Sequence, residues 1–235
     1  MLHKRTYQPE LLDGDQIPFA DILRNMQELN FINTWLGGHS ITVNGFKQFA
    51  LPANTITICE IGCGGGDNLK AIAAYCNKKG VDFKLIGIDL NPFCIESARQ
   101  QTDPSMTAQW FVSDYKDVLF VEKPDILFSS LFCHHFKEEE LVLQLQWMQQ
   151  NSKLGFFIND LQRNTIAYYA IKLLTGLFSK SYLVKHDAPL SVARALIRRE
   201  WKELLSAAGI SNFSLQWKWA FRYLITVIHD RPNAL

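Results

Sequence analysis

Residues 58–67 read Ile58-Cys59-Glu60-Ile61-Gly62-Cys63-Gly64-Gly65-Gly66-Asp67. The apolar run Ile56–Ile61 has the length and character of a buried strand. It ends in a glycine-dense turn, and residues 68–75 then read as a helix. Strand, glycine turn and helix together predict a nucleotide-binding corner. Without β-carbons the backbone can close on a ligand, and the helix N-terminus offers free N–H groups.

The corner is not built for a pyrophosphate. A P-loop would end in Gly-Lys-Ser/Thr, which is absent here. A dinucleotide fingerprint starting at Gly62 would need a third glycine where Asp67 stands, and one starting at Gly64 would need it at Leu69. Glu60, two places before the first glycine, would repel phosphate but suits a cationic ligand. Glu60, Gly62, Gly64 and Gly66 meet the pattern E-x-G-x-G-x-G, which resembles motif I of class I S-adenosylmethionine (SAM) methyltransferases.

Three later landmarks follow in the order that resemblance requires. Phe83–Asp89 reads as a second strand ending in an acid, at about the 20-residue spacing of a ribose-binding carboxylate. Ala108–Val112 reads as a third strand, followed by Ser113, Asp114 and Tyr115. Residues 125–131 read as a fourth strand, followed by Phe132-Cys133-His134-His135-Phe136. This stretch is similar to the paired histidines of ubiquinone/menaquinone-type and related small-molecule methyltransferases. The resemblance covers residues 56–160.

It implies SAM as cofactor, released as S-adenosylhomocysteine (SAH). It implies cofactor contacts at Glu60, Gly62, Cys63 and Gly64 in the turn, and at Asp89, Leu90 and Asn91 for ribose and adenine. Asp114 would meet the adenine amine with Tyr115 nearby, and Ser130 and Leu131 would line the methionine end. The plainer readings are Asp89 as the cap of the turn that follows it and Asp114 as a simple turn residue. Glu60 with the glycines upstream favours ribose contact for Asp89 over its plainer reading. His134 and His135 are candidate bases for a phenolic or enolic proton, or else pack beside the next helix. His186, next to Asp187 in an expected loop after the insertion, is a weaker candidate. Asp160 and Arg163 would contact substrate or pair with each other. No cluster has the linear spacing of a divalent-metal site, so no metal is expected.

Composition narrows the partners. The chain has 235 residues, enough for one well-cored α/β domain. Its net charge of +1 offers no electrostatic case for nucleic acid. Ser129-Ser130-Leu131-Phe132 after the fourth strand also lacks the Asn/Asp-Pro-Pro-Tyr pattern of amide or exocyclic-amine methylation. Cys59, Cys63, Cys76, Cys94 and Cys133 form no C-x-x-C pair, as expected of reduced thiols in the cytoplasm. The polar start of the chain is no signal core, and no apolar run reaches the roughly 20 residues of a membrane span.

The expected architecture is a Rossmann-like, seven-stranded methyltransferase sheet with helices on both faces, a single domain over 1–235. Residues 1–50 form a helical cap, with an amphipathic helix from Phe19 stopped by Gly37-Gly38, read as a lid or as mere cover. Residues 161–189 are an insertion. Its segment 165–178 is apolar almost all round, predicting a buried helix, a wall of a hydrophobic acceptor pocket, or a homodimer contact. Ser191 is expected to cap a helix running to about residue 208, and 214–220 and 222–228 an antiparallel final pair.

Pro9-Glu10-Leu11-Leu12-Asp13, Asn159-Asp160-Leu161-Gln162-Arg163 and residues 186–195 are similar to a bacterial subgroup that often accompanies polyketide or phenolic-lipid biosynthesis. That implies O-methylation of a small hydrophobic hydroxylated acceptor. Two readings stay beside it: a quinone-type C-methyltransferase, and a SAM-binding protein without activity.

Overall fold

The computed structural model describes residues 2, 4–14, 17–51, 54–104 and 106–229. Ile56–Ile61 (β1) lies inside a sheet completed by Phe83–Asp89 (β2), Ala108–Val112 (β3), Ile126–Ser130 (β4), Gly155–Leu161 (β5), Ser214–Lys218 (β6) and Arg222–Ile228 (β7). The strand order is β3-β2-β1-β4-β5-β7-β6. The first five strands pair in parallel, and β7 runs antiparallel to both β5 and β6. β1 and β4 are covered on both faces, which explains their nearly continuous apolar sequence.

The helices are Phe19–Trp35 (α1), Gly38–Phe46 (α2), Asp67–Lys79 (α3), Pro92–Gln101 (α4), Glu138–Asn151 (α5), Thr165–Phe178 (α6), Tyr182–Arg194 (α7) and Arg198–Ala207 (α8). Against one face of the sheet pack Leu141 and Leu145 of α5 with Trp201 and Leu205 of α8. Against the other pack Ile41 and Phe46 of α2 with Leu69 and Ile72 of α3. Where β4 meets β5, the cross-strand pair Phe128 and Phe157 stack with ring centroids 4.8 Å apart.

The site follows from the strand order. After β1 the chain crosses one way to β2 and β3, and from β4 onward it lies on the other side of β1. The connections leaving the carboxyl ends of β1 and β4 therefore diverge and open a crevice between them.

Three expectations are corrected. The helix expected over 191–208 is two helices, because Ala195–Leu196–Ile197 leaves the helical path. Leu196 bridges Gln162 there, and the Ala195 carbonyl accepts from Arg163 Nη1 at 2.7 Å. His186 and Asp187 lie inside α7, not in a loop; α7 accommodates Pro189 in its interior. α6 is not buried on every side: Ile166, Tyr169, Leu173, Leu177 and Phe178 are all more than 60% exposed. Among the described residues no helix is long and apolar enough to cross a membrane.

Candidate active site

The glycine turn is shaped by backbone that only glycine adopts readily. Gly62, Gly64 and Gly66 all have positive φ, at 64°, 50° and 73°. A β-carbon on Gly62 would lie 2.2 Å from the Phe132 ring, and one on Gly66 would lie 2.5 Å from Trp110. A β-carbon on Gly64 would meet nothing within 4 Å, so this glycine borders open space. Cys63 holds the turn through its backbone, its N–H donating to the Ile88 carbonyl at 3.1 Å, while its thiol is buried.

Two carboxylates bracket the turn. Asp89 Oδ2 accepts the Gly64 N–H at 2.8 Å, and its Oδ1 accepts the Asn91 N–H at 2.9 Å. Asp89 is thus the cap of the following turn and a support for the glycine loop at once. Asn91 Oδ1 caps α4 by accepting from Phe93 N, and Leu90 stands 68% exposed. Glu60 is wholly buried. Its Oε1 accepts from Asn68 Nδ2 at 3.1 Å, but its Oε2 has no partner. Burial raises the Glu60 carboxyl well above its ordinary range; the Asn68 bond opposes this, and the charges of Asp67 and Asp89 add to it. Asn68 Oδ1 in turn lies 3.0 Å from Nδ1 of His39.

Asp114 caps a short 3-10 turn by accepting from Lys116 N at 3.0 Å. Tyr115 points inward, edge-on to Trp147, Phe132 and Phe136, with its hydroxyl unpartnered. Ser130 Oγ lies 3.3 Å from Asn159 Nδ2, and Leu131 turns the chain out of β4 at φ 55°, a rare conformation for leucine.

One cavity of about 1040 Å³ joins these groups. Glu60, Gly64, Asp89 and Asp114 form one part of its lining, and Glu10, His134 and His135 another. Its walls are largely apolar: Ile22 and Met26 from α1, Ala170, Ile171 and Leu174 from α6, and Trp217 and Trp219 at the last hairpin.

Asp160 organises His134. Asp160 Oδ1 lies 2.7 Å from His134 Nδ1 and also accepts the Leu161 N–H at 2.7 Å, while Oδ2 accepts the His134 backbone N–H at 3.0 Å. Burial works to raise the Asp160 carboxyl, but His134 outweighs it and holds it below the ordinary range. His135 is held above its ordinary range: burial opposes this, and Asp13 and Glu10 overcome it. The histidine carbonyls are clamped by Arg5 and Arg194.

Comparison with known proteins fits this geometry. Residues 58–153 match the model of a methyltransferase domain. Residues 58–153 carry a methyltransferase domain.

No curated protein matches the methyltransferase in sequence. Its fold resembles that of the plantazolicin methyltransferase BpumL in complex with SAH, at 17% identity over 90% of each chain and a TM-score of 0.66. It also resembles human N-acetylserotonin methyltransferase in complex with SAM, at 17% identity, 89% of this chain, 56% of that one and a TM-score of 0.62. Magnesium protoporphyrin IX methyltransferase from Synechocystis PCC 6803, with bound SAH, is similar at 14% identity over 93% of this chain and 91% of that one, with a TM-score of 0.53. In all, 611 solved chains match, so the fold by itself selects no acceptor.

The methyltransferase gathers most of the residues singled out from sequence on this cavity. His186, Asp160 and Arg163 do not line it. His186 binds Asp187 at 2.7 Å, while Asp187 accepts the N–H groups of Leu11 and Leu12. Asp160 and Arg163 do not pair with each other; Arg163 grips Glu200 through two bonds, at 2.6 and 3.1 Å. Sequence reading passed over Glu10, Asp13, Asn68 and His39. Glu10 and Asp13 stand in the Pro9-to-Asp13 stretch already similar to the bacterial subgroup, which was the available signal.

Proposed function

We propose that this methyltransferase transfers the methyl group of SAM to a small, hydrophobic hydroxylated acceptor, an O-methylation of a phenolic or polyketide-like molecule that releases SAH. The observation that carries the proposal is one cavity lined together by carboxylates and glycine backbone, by apolar side chains and by two imidazoles.

The chain's own groups suit SAM. Glu60 Oε2 is a buried acceptor without a partner, as an ammonium ligand requires, directly or through a water. Gly64 leaves open space where a side chain would intrude. Asp89 retains acceptor capacity for ribose hydroxyls beyond its two backbone bonds. Asp114, Leu90 and Asn91 border the place for adenine, and Ser130 and Leu131 the methionine end.

SAM supplies an electrophilic methyl on a sulfonium, so the protein's work is to align the acceptor, exclude water and manage one proton. Ile22 and Met26 of α1 and Ala170, Ile171 and Leu174 of α6 bind the apolar body, with α1 as lid. The Asp160 carboxylate, already accepting two backbone N–H groups, takes the Nδ1 proton of His134 and leaves Nε2 with its lone pair. The acceptor's hydroxyl meets the imidazoles and gives up its proton there.

The whole chain acts as one domain in the cytoplasm, where its five free cysteines stay reduced, and does not use nucleic acid. The exposed stripe of α6 is the face on which a second copy packs.

The test is incubation of purified protein with SAM and a panel of long-chain phenols, polyketide lactones and hydroxyquinones. Mass spectrometry reads the added methyl, and NMR reads an O–CH3 signal. SAM binding with no transfer to any hydroxylated acceptor would overturn the proposal.

A further inference from the structure

His134 and His135 stand side by side with ring centroids 4.5 Å apart. Each has its Nδ1 beside a carboxylate: His134 at 2.7 Å from Asp160 and His135 at 3.4 Å from Asp13. With both rings neutral, that arrangement places the Nδ1 protons toward the carboxylates and leaves both Nε2 atoms as lone pairs. Both Nε2 atoms face one carboxylate, Glu10. Nε2 of His134 lies 3.7 Å from Oε1, and Nε2 of His135 lies 3.7 Å from Oε2. These separations are too long for hydrogen bonds. Lone pairs turned toward a buried carboxylate repel it unless a cation lies between.

The charges agree. Glu10, Asp13 and Asp160 bring three negative charges to the imidazoles. Arg194 brings one positive charge, 3.4 Å from Asp13 and 3.9 Å from Glu10, and Arg5 is matched by Glu138. The buried Arg222 guanidinium lies within electrostatic reach of Asp160 as well, so the cluster is left with one negative charge in excess. Ser191 Oγ donates to Glu10 Oε1 at 2.7 Å and fixes the carboxylate's orientation. The three ligand atoms lie within 4.8 Å of one another.

We propose that Glu10, His134 and His135 bind one divalent transition-metal ion of the zinc type. Two imidazole nitrogens and one carboxylate oxygen suit such an ion, and the nitrogens disfavour Mg²⁺ and Ca²⁺. Asp160 and Asp13 are the outer carboxylates that orient the histidines. The three ligands form part of the cavity wall, so a fourth position opens to the cavity. On the O-methylation reading above, the acceptor's oxygen takes that position. Ligation to the ion would make that hydroxyl acidic enough to release its proton to solvent water before the methyl passes from the sulfonium to the oxygen and SAH leaves.

Metal binding is measured without SAM or acceptor, so its outcome is independent of the methyl-transfer reading. Chelator-stripped protein is titrated with Co²⁺, followed by visible absorption, and with Zn²⁺ by calorimetry. The expected result is one ion per chain, with Zn²⁺ displacing Co²⁺. His135→Ala removes the most exposed ligand and lowers the affinity by at least about tenfold. Asp13→Asn, which touches no metal directly, lowers it by about tenfold. Circular dichroism confirms that both variants remain folded, which separates loss of the ion from loss of the fold. Absence of stoichiometric binding would overturn the proposal and leave protons as the balancing cations. So would binding unchanged in His135→Ala and Asp13→Asn, or Mg²⁺ competing as well as Zn²⁺.

Discussion

Asp160 accepts twice from the same residue: the backbone N–H of His134 at 3.0 Å and its ring Nδ1–H at 2.7 Å. The end of β5 thereby locks both the place and the rotation of an imidazole carried by the loop after β4. A strand end that holds a loop histidine by two bonds is a rigid support for chemistry at the imidazoles.

Asp160→Asn tests that support. The amide keeps the shape but loses the charge that holds the Nδ1 proton, and a buried donor or acceptor is left unmatched. A fall in kcat of about a hundredfold is expected, with KM for SAM unchanged. Stability falls by about 1–3 kcal/mol. Steady-state kinetics alongside a urea melt would read both, and an unchanged kcat would sink the role given to Asp160.

Glu60 links SAM binding to pH. Burial, with Asp67 and Asp89, raises its carboxyl well above the ordinary 4.5 in the free protein. The stability this protonated carboxyl contributes is complete below 4.5 and is lost as pH rises through the raised value. A cationic ligand favours the ionised form, so binding releases a proton, and affinity climbs as pH rises toward that value. Calorimetry in buffers of different ionisation enthalpy measures the released proton. Glu60→Gln is expected to abolish the release and to weaken SAM binding by about 2 kcal/mol. A pH-independent affinity in the wild type would refute the assignment.

Gly62→Ala and Gly64→Ala separate fold from ligand. At Gly62 a methyl would sit 2.2 Å from the Phe132 ring at a φ of 64°, so the variant is expected to lose about 2–3 kcal/mol of stability. At Gly64 nothing lies within 4 Å, so only the backbone cost of about 1 kcal/mol applies, while the methyl enters the cofactor's space. Gly64→Ala should therefore melt near wild type and bind SAH poorly. Equal melting points for the two variants would contradict this division.

The outer stripe of α6 carries no fold stability of its own. Leu173 and Leu177 are 63% and 67% exposed, so the double variant Leu173→Ser, Leu177→Ser should change stability by no more than about 0.5 kcal/mol each. If a second copy packs on this stripe, sedimentation velocity will show dimers of the wild type and monomers of the variant. Monomers in both cases would rule out the α6 interface.

The strands were legible because their signals are local. Ile56–Ile61, Phe83–Asp89 and Arg222–Ile228 are apolar runs bounded by turn residues, and such runs carry their own length and period. The donor end was legible for the same reason, since Glu60, Gly62, Gly64 and Asp89 sit at the ends of adjacent parallel strands. The break between α7 and α8 was not. It is imposed from a distance, by Gln162 bridging Leu196 and by Arg163 holding the Ala195 carbonyl. Tyr115 was legible in part: its position after β3 is a local fact, but its inward direction is set by Trp147 on α5.

The sequence by itself determined the parallel sheet, the glycine corner and the acid at the end of β2, because residues close in the chain express them. Only the tertiary structure decided that Glu10, from the start of the chain, faces His134 and His135 beyond β4, and that one side of α6 lines a cavity while the other meets solvent. Those relations depend on which helices pack over the carboxyl ends of the strands. Packing is settled by complementary surfaces brought together across the whole fold, not by the period of any one segment.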